Sequence, residues 1–508
     1  MNGSRRYRAL VLASILTYIA VFTWYTFAKH AAFKTYAWDL GIYGQAFWTT
    51  VNVGGVFRYN CELHLVESGS FFGIHFSPAL FLILPIYILR QDVTTLLVVQ
   101  SAALGLSAYP VYLLGRETLG EGPGAAAALA YLLNPCLHGM NCYDFHVQAL
   151  LPLTLGYLIL YAQRDQWARA GAAAVISMSV MEQVTYIMLV YAAAVAMKSL
   201  VRSRETKAID WKPLAFTAAL ALTSLAWGHA AAQVISHYNP DVPEYLRAGR
   251  HFSVLGACDP SEVPLMALTQ PRRALDALLH DSDDKAAYLL GTLSPTAFAA
   301  LAEPLAFAPA AAWLALSLLS NYPPYYTLGF QYLGYVVPFT QAAATLALGR
   351  LGPSQRRRMA AALVLVATAS TLGLSPLSPA TEGMDLGPAY RKPGEIDAAR
   401  IREALDAVPP GASILTQDNI FPHVCGRAQA YVIPPDTRQD PETQERARRL
   451  LEGVRAEYVL VDLETDTLGT AAGAALAVEQ TGAYSLVMGG GSLRLYRLAA
   501  PQPPGLQP

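Results

Sequence analysis

Residues 9 to 28 form a run of 20 with no charged side chain. At about 1.5 Å of rise each, that is the thickness of a bilayer's hydrocarbon core. Backbone amides and carbonyls in lipid have no water to pair with, so such a run folds as a helix. Further uncharged or nearly uncharged segments follow at 72–89, 93–115, 122–137, 145–163, 170–181, 184–197, 213–236, 286–302, 304–320, 326–349 and 359–378. Only 14% of the 508 residues are charged, against about 25% in an average soluble domain. The chain therefore reads as an α-helical polytopic membrane protein of roughly ten to twelve passes. Long polar loops fall at 30–70 and 237–285.

Basic residues set the expected sidedness. Arg5, Arg6 and Arg8 precede the first run, which exceeds the apolar core of a signal peptide and lacks a small-residue cleavage site, so it reads as a retained helix with a cytoplasmic N-terminus. Lys198, Arg202, Arg204, Lys207 and Lys212 form one further cluster, and Arg350, Arg356, Arg357 and Arg358 another. Both are expected in the cytoplasm, which leaves the 30–70 loop outside. Two readings of residues 170–197 stay open. Either Glu182 is a turn between two short passes on the outer side, or a single helix buries it at a cost of a few kcal/mol. The net charge of −1 gives no reason to expect nucleic acid as a partner. Five cysteines show no metal-finger spacing, and unpaired thiols or a Cys61–Cys258 disulfide both fit.

Near residue 385 the texture changes. "GASILTQ", "AQAYVIP" and "AEYVLVDLE" read as strands, "ETQERARRLLEGV" as an amphipathic helix, and "YSLVMGGGSLRLYRL" as a glycine-turned hairpin. The expected organisation is a transmembrane domain at 1–384, an extracytoplasmic α/β domain with a parallel core at 385–500, and a disordered Pro-rich tail at 501–508.

Asp39 lies among aromatic residues just beyond the first helix. A carboxylate at that depth can take a proton from a hydroxyl; it can equally cap the apolar segment that follows. "GIHFSP" adds His75, "YDFHVQALLP" adds Asp144 and His146, and "MEQVTY" adds Glu182, each at the mouth of an apolar segment. Such groups could bind substrate or a divalent metal, although ligand spacing this long-range is no metal signature. Arg247 and Arg250, three positions apart on a helical turn, suit a phosphate. The tyrosines of 318–339 suit an interfacial belt, a sugar-stacking face or a lipid groove. No nucleophile elbow, HExxH or Walker sequence is present.

The blocks "WDLGIYGQAFW", "HFSPALFLILPIYIL", "DFHVQALLPLTLGYLIL" and "LGFQYLGYVVPF" together resemble the prokaryotic polytopic family called domain of unknown function 2079, whose architecture is similar to that of GT-C-fold glycosyltransferases. The resemblance implies an inner-membrane enzyme that moves a sugar from a polyprenyl-phosphate-linked donor to an extracytoplasmic acceptor, with Asp39 as general base and membrane lipid around it. The family pattern expects a basic residue followed by two acids where this chain has Met181-Glu182-Gln183. A lipid or glycolipid transporter, or a non-catalytic scaffold, is the reading to be separated from it. The transporter would show paired repeats with broken helices, and none is evident.

Overall fold

In the computed structural model, residues 2–242, 248–390, 398–435, 441–466 and 468–499 are described. Arg247 and the 501–508 tail lie outside them. Among the described residues, five helices are long and apolar enough to cross a membrane: Ser4–Ala31, Thr94–Leu119, Val184–Thr206, Trp211–Tyr238 and Pro353–Leu374. Shorter apolar helices at Leu80–Leu89, Val147–Gln163 and Pro304–Leu319 pack among them. Leu16, Trp24, Leu222 and Leu365 leave about two thirds or more of their surface open. Apolar faces of that kind suit a lipid surround rather than water. Helix Trp167–Met178 ends before Glu182, and Val184–Thr206 begins after it. Of the two readings, the chain follows the one with a turn.

The helices sort their ends. Ser4 donates to Glu121, Arg164 pairs with Glu117, Lys198 donates to Gln163 and Arg356 donates to the Thr118 carbonyl. These contacts gather Arg164, Lys198 and Arg356 at one end of the bundle. The helix ends that carry Asp39, His75, His146, Glu182 and Tyr335 are the opposite ones, where the backbone breaks into short irregular turns. Those turns are Ala37–Gly41, Phe71–Gly73, Val147–Leu150, Pro323–Tyr326 and Gln331–Tyr335. All five cysteines are unpaired, and of them only Cys258 is exposed, so the Cys61–Cys258 bond is not formed.

The C-terminal region forms a sheet of β1 (Ile414–Thr416), β2 (Ala430–Val432), β3 (Tyr458–Asp462), β4 (Tyr484–Gly490) and β5 (Leu493–Leu498). Their order is β2-β1-β3-β5-β4. β1 runs parallel to β2 and β3, whereas β5 is antiparallel to β3 and β4. This is the parallel core and terminal hairpin expected from the sequence. Helices Ala398–Asp406 and Ala471–Thr481 were not signalled by it. Side chains alternate as a strand requires. Leu415, Val459 and Val461 pack on Ala471 and Ala475, while Ile414, Tyr458 and Leu460 join the core that continues into the helical bundle.

Candidate functional site

Asp39 sits inside a π-helical turn, Ala37–Gly41, that runs directly into helix Ile42–Asn52. Neither element takes a side-chain cap from it, so the capping role is not realised. The widened turn instead aims the carboxylate at the Tyr143–His146 loop. Its Oδ1 meets His146 Nε2 at 2.6 Å, and its Oδ2 accepts from the Tyr143 hydroxyl. The side chain keeps 15% of its surface open, leaving an edge for a further proton donor. His146 stacks on Tyr143 at 4.6 Å between centroids. Its Nδ1 lies 2.9 Å from the Asp144 carbonyl. Both ring nitrogens thus face acceptors, so the ring satisfies both contacts when each nitrogen carries a hydrogen.

Buried polar groups hold the loop. Gln100, fully buried on Thr94–Leu119, donates to the carbonyls of Met140, Asn141 and Tyr143 at 3.2 Å and of Asp144 at 3.4 Å. Its own oxygen accepts from His146 N at 2.9 Å. Asp144 does not cap its helix and does not open to the site. Its Oδ1 pairs with Lys29 Nζ at 3.2 Å, each side chain 1% exposed, and its Oδ2 accepts from Tyr36 N at 2.6 Å. Lys29 also donates to the Cys142 carbonyl at 2.9 Å. This arrangement ties the end of the first helix to the loop that faces Asp39.

The second pair is His75 and Glu182, 2.9 Å apart, with Phe76 N donating to the other carboxylate oxygen at 3.0 Å. Burial works against a charged His75, but the charge and hydrogen bond of Glu182 outweigh it, and the imidazole titrates above its ordinary value. Ring contacts link this pair to the first: His75 touches Phe71, Phe71 touches Tyr43, and Tyr43 meets His146 edge-on. Burial first, and then the charge of Asp39, raise the Tyr43 phenol. Glu62 accepts from Tyr59 at 2.6 Å, and burial pushes its carboxyl up to about 7. Among the described residues, no three His, Cys, Asp or Glu side chains form a metal-holding group.

Aromatic rings close the far side. Tyr322, Tyr325 and Tyr332 meet edge-to-face at 5.1 and 4.8 Å, and Tyr335 stacks on Trp313 at 4.2 Å. Phe330, in the same stretch, meets Tyr143 edge-on at 5.2 Å, which sets this wall beside the hydroxyl that donates to Asp39. His251 stacks flat on Tyr322 at 4.0 Å, which brings its exposed neighbour Arg250 to the rim.

The structure therefore brings Asp39, His75, His146 and Glu182 to one end of the bundle, with Asp144 behind them and Arg250 at the edge. Sequence reasoning missed Tyr143, Glu62, Lys29 and Gln100. The first of these adjoins the Asp-Phe-His block and carried a signal by proximity. Glu62, Lys29 and Gln100 carried none, because only folding gives them partners.

In fold, the helical bundle with its small C-terminal sheet is similar to that of GT-C-fold structures. ArnT from Cupriavidus metallidurans bound to undecaprenyl phosphate superimposes with a TM-score of 0.58, 13% identity, and coverage of 96% of this chain and 99% of that one. The apo state of ArnT from the same organism gives 0.53, 14% identity, and coverage of 91% and 94%. At such identities the likeness is one of fold. The chain belongs to the DUF2079 family of predicted membrane proteins, which matches residues 29–488. No curated protein matches it.

Proposed function

We propose that the protein is a glycosyltransferase that moves a sugar from a polyprenyl-phosphate donor to a hydroxyl acceptor outside the cytoplasmic membrane of a prokaryote. The observation that carries the reading is Asp39, a carboxylate oriented by Tyr143 and His146 with one edge open among aromatic side chains. An acceptor hydroxyl at that edge gives its proton to Asp39 while its oxygen bonds to the anomeric carbon. The bond from that carbon to the phosphate oxygen breaks, and the lipid phosphate leaves with the electron pair. A single base suffices, so the displacement inverts the anomeric centre. Arg250 at the rim suits the departing phosphate, and the Tyr322–Tyr335 wall suits the face of a sugar. The donor class is supported by the undecaprenyl phosphate bound to the ArnT of like fold. The outer location is supported by the basic residues at the opposite end of the bundle.

Asp39→Asn keeps an oxygen for Tyr143 and removes the base. In proteoliposomes given a polyprenyl-phosphate hexose and an envelope-glycan acceptor, transfer is expected to fall about 100-fold or more. Transfer at the normal rate would end the assignment of Asp39, and lipid translocation without transfer would favour a flippase.

A further inference from the structure

Asp39's segment is gripped from outside the membrane domain. Ala37 N donates to the Asp418 carbonyl at 2.8 Å, and Asn419 Nδ2 reaches the Phe33 carbonyl at 3.5 Å. Gln45 Nε2 donates to the carbonyls of Arg427 and Ala430, both at 3.1 Å, and Asn60 Nδ2 to those of Ala428 and Ala430 at 2.9 and 3.1 Å. A Cβ at Gly41 would lie 2.6 Å from the Phe421 ring, and one at Gly44 would lie 2.6 Å from Cys425 Sγ. The two glycines are thus the flat side on which the α/β domain rests. His423 stacks on His30 at 4.1 Å and packs on Phe33 at 3.9 Å.

The place where this grip forms is informative. In an open parallel sheet, the crevice for a ligand opens at the carboxyl ends of adjacent strands whose connections leave in opposite directions. Here those strands are β1, which leads to β2 on one side, and β3, which leads towards β4 and β5 on the other. At their ends Gln417 Nε2 donates to Asn419 Oδ1, the Asp462 carbonyl and Thr465 Oγ1 at 2.9, 3.1 and 3.2 Å. Gln417, Asp418 and Asn419 are all buried. Gln417 bridges the crevice from within, and the Phe33–Ala37 backbone of the same chain lies against its Asp418–Asn419 edge.

We infer that the α/β domain is a positioning device: its strand-end crevice and the Phe421–Cys425 segment hold the Asp39 turn in register with Tyr143 and His146. The crevice serves the chain's own first loop and not a separate ligand. The catalytic consequence rests on the glycosyl-transfer reading; the structural one does not.

The test uses the full-length protein in nanodiscs, with Phe421→Ala, Phe421→Leu and Asn60→Ala compared by amide hydrogen exchange. Phe421→Ala is expected to speed exchange at least tenfold across 37–52 while 94–119 and 458–462 keep their rates. Phe421→Leu is expected to restore most of the protection, and Asn60→Ala to loosen the same stretch more mildly. With a polyprenyl-phosphate hexose as probe, Phe421→Ala is expected to lower kcat about tenfold with donor KM within twofold. Unchanged exchange at 37–52, or an equal rise in all three regions, overturns the inference. Loosening of 37–52 in a protein that transfers no sugar upholds the clamp and sinks the functional reading instead.

Discussion

Lys29 and Asp144 illustrate how a site is built from behind. Both are ionisable, both are 1% exposed, and together they absorb the Tyr36 amide and the Cys142 carbonyl. Removing one partner of a buried pair strands the other charge and costs about 3–5 kcal/mol, whereas replacing both with apolar groups is far milder. Lys29→Met is accordingly expected to lower the thermal unfolding midpoint of the detergent-solubilised protein well below that of wild type. Lys29→Met with Asp144→Leu is expected to recover much of the loss. A midpoint unmoved by the single change would mean that the pair does not anchor the loop. The same two residues explain why Asp144 and His146, two positions apart, play different parts. One carboxylate is consumed by the scaffold, while the neighbouring imidazole faces Asp39.

The helix-to-domain contact is the element most exposed to solution conditions. His423 packs against His30 at the end of Asn2–Ala31 and near Arg402 on Ala398–Asp406, and its Nε2 has no hydrogen-bond partner among the described residues. Burial first, then the charges of His30 and Arg402, hold its imidazole well below the ordinary value of about 6.5. A histidine depressed in the docked state takes up its proton more readily when released. Its contribution to docking is therefore complete above about pH 6.5 and is lost as the pH falls below it. Unfolding midpoints taken from pH 7.5 to 5 are expected to drop less steeply for His423→Phe, which keeps the stack and removes one of its two imidazole titrations. Identical slopes would show that His423 does not sense pH.

At the scale of the molecule, charge sorts the two ends of the bundle and the site occupies the end without the basic clusters. Cys258 gives a direct test, because it is exposed and the other four cysteines are buried. A membrane-impermeant maleimide added to intact cells is expected to label the wild-type protein and not Cys258→Ser. Labelling only after the inner membrane is breached would invert the orientation and remove the proposed chemistry from the outer face.

Hydropathy, basic clusters and motif blocks made the helical membrane class, the family, the parallel-core C-terminal sheet and the residues Asp39, His75, His146 and Glu182 legible, because period and charge are local properties of a chain. The turn at Glu182 was one of two readings, and packing selected it. Which acid stays open, which is spent on Lys29, that Glu62 joins the cluster, and that the α/β domain sets its crevice edge against the first loop were all decided by tertiary structure. Each depends on partners tens to hundreds of residues apart, and no local pattern encodes the distance between them.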